Sequence, residues 1–114
     1  MKVKTSELIG PALDWAVAES EGNVRLQYDS REGMIVSNVL GWVPYRPSVA
    51  WVQGGPIIER EKIATDWNHD CWNAAKSGLG WYISGPTPLI AAMRCHIYAE
   101  LGDEVEVPEE LCTS

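Results

Sequence analysis

The chain contains no phenylalanine, no Cys-x-x-Cys pair, no phosphate-binding loop and no dinucleotide fingerprint. Each absence removes a class of function. Without paired cysteines there is no zinc-ribbon framework, and without the glycine-rich signatures the common nucleotide hydrolases and dinucleotide-binding folds are excluded. Basic residues are scarce: nine Lys and Arg stand against sixteen Asp and Glu, a net charge of −7. A diffuse grip on a nucleic-acid backbone would work against that charge, so duplex DNA is not expected as a direct partner. No stretch approaches the ~18 apolar residues of a membrane span, and the opening Met1-Lys2-Val3-Lys4-Thr5-Ser6-Glu7 lacks the apolar core of a signal peptide. A cytoplasmic protein is expected. The three cysteines, Cys71, Cys95 and Cys112, are odd in number and too few for a disulfide scaffold, so reduced thiols are expected.

What is present fits one folded domain over 1–114: the chain has a common domain length, and 46% hydrophobic with 22% charged residues is a globular balance. Six Trp and four Tyr carry all the aromatic surface. These rings have a polar handle, which suits a groove apolar on one side and wet on the other; the plainer alternative is that they fill a small core. Some could also be shared across a homodimer or a higher homo-oligomer. Glu100, Asp103, Glu104, Glu106, Glu109 and Glu110 crowd the end of the chain, as a solvated edge or as an acidic lure.

The patterning predicts an α+β fold, a small, mostly antiparallel sheet packed by two main helices plus one short helix. Lys2-Val3-Lys4 alternates as a strand, with Thr5 placed to cap the next segment. Leu8, Ala12, Trp15, Val17 and Ala18 recur at mostly helical spacing, giving a helix from Pro11 to Glu19. Val24 to Tyr28, a turn over Asp29 to Gly33, and Met34 to Val36 read as a hairpin. Gly41 to Ser48 carries two prolines and reads as an ordered loop. Gly54-Gly55-Pro56 reads as the start of a short helix, Ile57 to Ile63. Trp81-Tyr82-Ile83 reads as a strand, while Thr65 to Ser77 has no clear pattern. The clearest element is a helix over Leu89 to Leu101, capped by Thr87, begun by Pro88 and ended by Gly102, with Leu89, Ala92, Met93, His96, Ile97 and Leu101 on its apolar face. Val105-Glu106-Val107-Pro108 closes as an edge strand.

Little in the sequence points to catalysis. His69, Cys71, Cys95 and His96 are metal-ligand types, but adjacent helical residues point about 100° apart and the spacing builds no site; no metal and no cofactor are expected. Neither cysteine has a recognisable base beside it. The anion-receiving feature is Gly54-Gly55-Pro56, where a helix start would leave backbone N–H groups for a phosphate, the alternative being a tight turn before a proline-started helix. Tyr45, Ser48, Trp51, Gln53, Arg60 and Thr87 join it as ring, amide, hydroxyl and cation. Arg94, among apolar neighbours, is either a buried partner of Asp14 or Glu59 or a cation facing the ligand.

Several stretches resemble the NinX-like family of tailed-phage and prophage proteins: Met1 to Leu8, Ala12-Leu13-Asp14-Trp15-Ala16-Val17-Ala18, Trp51-Val52-Gln53-Gly54-Gly55-Pro56-Ile57-Ile58-Glu59-Arg60-Glu61, Gly85 to Arg94, and Leu101 to Glu110. Val24 to Val43 and Thr65 to Trp81 depart from the pattern. The resemblance implies a phage accessory protein working in a bacterial cytoplasm, and its patterns fall on Asp14-Trp15, Tyr45, Ser48, Trp51, Gly54-Gly55-Pro56, Glu59-Arg60 and Thr87-Pro88, with Arg94 beyond. Together these readings give a non-enzymatic binder that sequesters a small anionic, nucleotide-type ligand, such as a host immune signal. The rival is an acidic inhibitor or adaptor of a host or phage DNA-processing or defence protein, acting through the terminal acids and the Trp42 to Trp51 rings.

Overall fold

The computed structural model describes residues 1–22, 26–29, 33–38 and 41–111, with the backbone alone for 26–29, 33–38 and 41–43. The chain runs β1 (Lys2–Lys4), a 3-10 turn (Thr5–Glu7), α1 (Gly10–Ser20), β2 (Leu26–Asp29), β3 (Gly33–Asn38), β4 (Gly41–Pro44), α2 (Trp51–Glu61), β5 (Ile63–Asn68), β6 (Cys71–Lys76), β7 (Ile83–Gly85), α3 (Pro88–Leu101), β8 (Glu104–Glu106) and a final 3-10 turn (Glu109–Leu111). The expected α+β class holds. Its antiparallel strands are divided, among the described residues, into two three-stranded sheets, β2-β3-β4 and β5-β6-β7, and a two-stranded ribbon, β1-β8.

Helix α3 forms as its sequence dictates. The Thr87 side chain accepts the N–H of Ile90 at 3.0 Å, Pro88 opens the first turn, and Gly102 ends the helix at φ 95°. Every residue from Leu89 to Ile97 is buried, so the helix lacks the polar face of a surface helix; only the last turn, including Leu101, is exposed. It lies across β5-β6-β7 and against α1 and α2. Leu8, Leu13, Val17, Ile57, Ile63 and Ala74 complete the core around it. Two glycines permit this closeness: a Cβ on Gly85 would lie 2.7 Å from the Ala91 nitrogen, and one on Gly54 would lie 2.5 Å from the Pro47 carbonyl oxygen and 2.6 Å from Leu89 Cδ1.

The ribbon pairs Lys2 with Glu106 and Lys4 with Glu104, so part of the terminal acidity sits opposite lysine while Val3 and Val105 turn inward. Thr5 is buried and caps nothing; its hydroxyl donates to the Gly102 carbonyl at 2.6 Å, tying the start of the chain to the end of α3. The unpatterned stretch after Thr65 is the β5-β6 hairpin, with Trp67 opposite Trp72 and their rings 5.6 Å apart. Of the expected Asp29 to Gly33 turn, residues 30–32 lie outside the described residues, as does Cys112.

Two further expectations are corrected. Gly41 to Pro44 is a strand rather than loop, tolerated because it forms the edge of its sheet, where Pro44 opposes Ile35 and needs no second partner. Helix α2 begins at Trp51, so Gly54, Gly55 and Pro56 lie inside it. The proline removes the N–H that would have reached the Val52 carbonyl, and Val52 is exposed enough for water to serve that oxygen.

Gly54 and Gly55 should therefore respond differently to alanine. Gly54→Ala pushes a Cβ into a backbone carbonyl that cannot give way, and a loss of ~1–3 kcal/mol is expected in chemical unfolding. Gly55 has open space, and the helical gain of alanine is offset by the steric restriction before Pro56, so Gly55→Ala should lie within about 1 kcal/mol of the parent.

Candidate functional site

The residues expected to cradle an anion are dispersed by the fold into three places. Around the start of α2, Asp14 accepts the Ser48 N–H at 2.9 Å, and Gln53 braces the preceding loop by accepting the Arg46 N–H at 2.6 Å and donating to the Pro44 carbonyl at 2.8 Å. Gln53 is thus a loop clamp. Ser48 is buried, and among the described residues its Oγ has no partner at hydrogen-bond geometry. Tyr45 packs against the core, where burial, with the Glu21 and Asp14 carboxylates adding to it, pushes its phenol up to about 12. Trp51 is exposed beside Thr87 and Ser48 in a cleft of about 160 Å³. That volume is below the several hundred Å³ of a nucleotide pocket, and Thr87 is already committed as a cap.

The expected phosphate donors are not at a helix start. The Gly54 N–H is bonded to the Ala50 carbonyl at 2.9 Å, within the first turns of α2. Tertiary contact with Pro47 and Leu89 extends the helix back past the Gly-Gly-Pro signal.

Arg60 belongs to a second cluster. Its Nη1 and Nη2 donate to the two Glu21 oxygens at 2.8 and 2.7 Å, and its Nε donates to Glu61 at 2.7 Å. Bidentate pairing of this kind leaves little of the guanidinium for a phosphate. Arg60 lowers the Glu21 carboxyl against the opposing effect of burial, and Arg60 with Lys76 holds Glu61 at about 2. The cluster continues to buried His96, whose Nε2 lies 3.0 Å from Glu21 and 3.1 Å from Ser20 Oγ, while Nδ1 has no partner among the described residues.

Arg94 occupies the third place. Neither Asp14 nor Glu59 pairs with it; Asp14 is engaged by Ser48 on another side of the core. Its Nε donates to the Leu8 carbonyl and its Nη1 to the Ser84 carbonyl, both at 2.8 Å. Burial lowers its pKa, with Glu7 opposing. The guanidinium lines a cleft of about 550 Å³ with Ser6, Asp70, Cys71, Ser84 and Tyr82. Tyr82 also lines a cleft of about 480 Å³ on the β5-β6 hairpin, together with Ala64, Ala75, Trp67, Asn68 and Asn73. Both volumes lie in the range of small-molecule sites.

Arg94 belongs to the set expected from sequence, whereas Trp67, Tyr82 and Asn73, which line these clefts, lie outside it. The available signal was Trp67 amid polar residues, which on a strand with alternating faces marks a ring turned toward water. Trp67 is 56% exposed and Tyr82 is 65% exposed, against a half-buried Trp72 and Trp81. Among the described residues, no helix is long and apolar enough to cross a membrane. The chain matches, over residues 4–100, the family model described as "Bacteriophage P22, NinX". No curated protein matches it significantly.

Asp14 gives the site region a measurable pH signature. Burial pushes its carboxyl from 3.8 up to about 6, against the Ser48 donor and the Arg46 cation. Between those two values the folded chain binds a proton that the unfolded chain has released, so this group's contribution favours folding most below 3.8 and declines as pH rises through 6. Asp14→Asn keeps an oxygen acceptor for Ser48. It should flatten that slope and be the more stable form above neutral pH, by up to ~3 kcal/mol, read as the difference between the two unfolding curves across pH.

Proposed function

The chain belongs to the NinX family of phage proteins, and from that premise we propose that it is a phage accessory protein that binds and sequesters a small anionic, nucleotide-type ligand in the bacterial cytoplasm, without catalysis. The observation that carries this reading is Tyr82, which lines both the ring-walled cleft of the β5-β6 hairpin and the cleft that holds Arg94. A flat heterocycle fits over the Ala64 and Ala75 methyls beside the exposed Tyr82 ring, with Asn68 and Asn73, on the same face of the hairpin, supplying polar contacts at its edges. Past Tyr82, Arg94 offers a cation that no carboxylate among the described residues pairs with, fixed in direction by two backbone carbonyls. Asp66 and Asp70 stand in the same linings, which favours a ligand with one anionic group over a chain of phosphates. Sequestration needs only burial and complementary contacts. The lining also supports binding over turnover: Cys71 points its thiol toward Asn73, with no base paired to it among the described residues. Held in this way, a host signalling nucleotide would be withdrawn from its receptor.

A second reading, a protein-binding adaptor, rests on Val49, Trp51 and Val52, which are 63%, 56% and 84% exposed side by side at the start of α2. A face of this kind also suits a second copy of the chain.

Calorimetric titration with nucleoside monophosphates, cyclic mononucleotides and cyclic dinucleotides tests the first reading. Trp67→Ala and Tyr82→Ala should each weaken the tightest binder by about tenfold, the usual worth of a base stacked on a ring, and the ligand should be recovered chemically unchanged. Trp51→Ala should leave that affinity alone. If Trp51→Ala abolishes binding while Trp67→Ala does not, the pocket is at α2. If no nucleotide binds and Trp51→Ser alone abolishes capture of one host polypeptide, the adaptor reading stands instead.

A further inference from the structure

Buried His96 has one ring nitrogen facing two acceptors and one with no hydrogen-bond partner among the described residues. Nε2 faces the Glu21 carboxylate at 3.0 Å and Ser20 Oγ at 3.1 Å. The Ser20 hydroxyl hydrogen is spent on the Val17 carbonyl at 2.8 Å, so its oxygen can only accept from the ring, and Glu21 is held ionised by Arg60. Both neighbours of Nε2 therefore require it to carry the proton. In the neutral imidazole that leaves the lone pair on Nδ1, which is buried and has no hydrogen-bond partner among the described residues. A lone pair shut away from water without a donor costs free energy, and a metal ion satisfies it.

The surroundings supply the other ligands. A ring nitrogen of His96 and one carboxylate oxygen each of Glu61 and Glu100 lie within 4.8 Å of one another. Glu100 follows His96 by one helical turn on α3, the spacing that places two side chains on the same side of a helix. Glu61 is the last residue of α2. Both α2 and α3 thus present their carboxyl ends here, where unpaired carbonyls and the helix dipole favour a cation. Three carboxylates, Glu21, Glu61 and Glu100, outnumber the two cations Arg60 and Lys76, so a negative surplus remains for an ion to neutralise.

We propose that His96 Nδ1, Glu61 and Glu100 form a binding site for one divalent transition-metal ion, Zn²⁺ being the reference occupant, with Glu21 as the carboxylate that orients the histidine. A carboxylate accepting from the non-ligating nitrogen of a metal-bound histidine is the recurrent second layer of zinc sites and fixes the tautomer the metal needs. Glu100 is exposed, so the remaining coordination positions open to water. The ion ties the end of α2 to the last turns of α3. Arg60 and Lys76 compete with it for Glu61, which sets the affinity below that of a cage built for metal alone.

The test uses the full chain after dialysis against chelator, titrated with ZnCl₂ by calorimetry and followed by thermal unfolding and by ¹⁵N NMR of the histidine ring. One equivalent of Zn²⁺ should bind, raise the unfolding temperature, and shift Nδ1 of His96 while Nε2 stays protonated. Glu100→Gln alters an exposed side chain and should remove binding without harming the fold; Glu21→Gln should weaken it by about 10–100-fold. Retention of one-equivalent binding in both Glu100→Gln and Glu61→Gln would overturn the proposal. So would loss of binding in Cys71→Ser or His69→Ala, or the absence of saturable binding with Zn²⁺, Mn²⁺ and Co²⁺.

Discussion

Every residue of α3 from Leu89 to Ile97 is buried, and two of them, Arg94 and His96, are polar groups that cannot be left without partners. Successive residues turn by about 100°, so positions 94 and 96 face nearly opposite sides of the helix. Their demands pull on different parts of the chain. Arg94 takes the carbonyls of Leu8 and Ser84 and fixes the loop before α1 and strand β7; His96 takes Glu21 and Ser20 and fixes the end of α1. One buried helix thus positions the hairpin clefts on one side and the carboxylate cluster on the other.

Close packing follows from the same burial. A helix covered all round admits its neighbours only where side chains are small, and the contacts at Gly54 against Leu89 and at Gly85 against Ala91 are backbone-close. The alanines at positions 74, 91 and 92 continue that pattern. With so little side-chain bulk at these contacts, the large rings are displaced outward, and Trp67 and Tyr82 stand at the surface of the hairpin while aliphatic groups fill the centre.

Helices α1 and α3, the β1-β8 strands and the β2-β3 hairpin were legible because local chemistry and tertiary structure agree there: Thr87 caps, Gly102 stops, and alternation marks the strands. Helix α2 was misread at its start because a Gly-Gly-Pro sequence marks a helix beginning in local terms, and only contact with Pro47 and Leu89 extends it to Trp51. Gly41 to Pro44 was misread because proline argues against a strand unless the strand is an edge, which sequence does not reveal. At the site, residue type is legible in the sequence and the company each residue keeps is not. Arg60 looked available until Glu21, distant in sequence, closed on it, and Gln53 looked like a ligand donor until it was seen to hold its own loop. Of Arg60 and Arg94, it is Arg94 that lines a described cleft.

The β1-β8 ribbon joins residues 2–4 to residues 104–106, so its formation closes almost the whole chain into one loop. Three residue pairs return little against the entropy of closing a loop of that length. The ribbon gains from pairing only after α1 and α3 have docked and carried the two ends together, with the Thr5 hydroxyl on the Gly102 carbonyl as the first bridge between them. A three-pair seam at the two ends of the chain is the kind of element that opens locally before a buried core. Amide exchange in the ribbon should accordingly outpace exchange in the buried turns of α3.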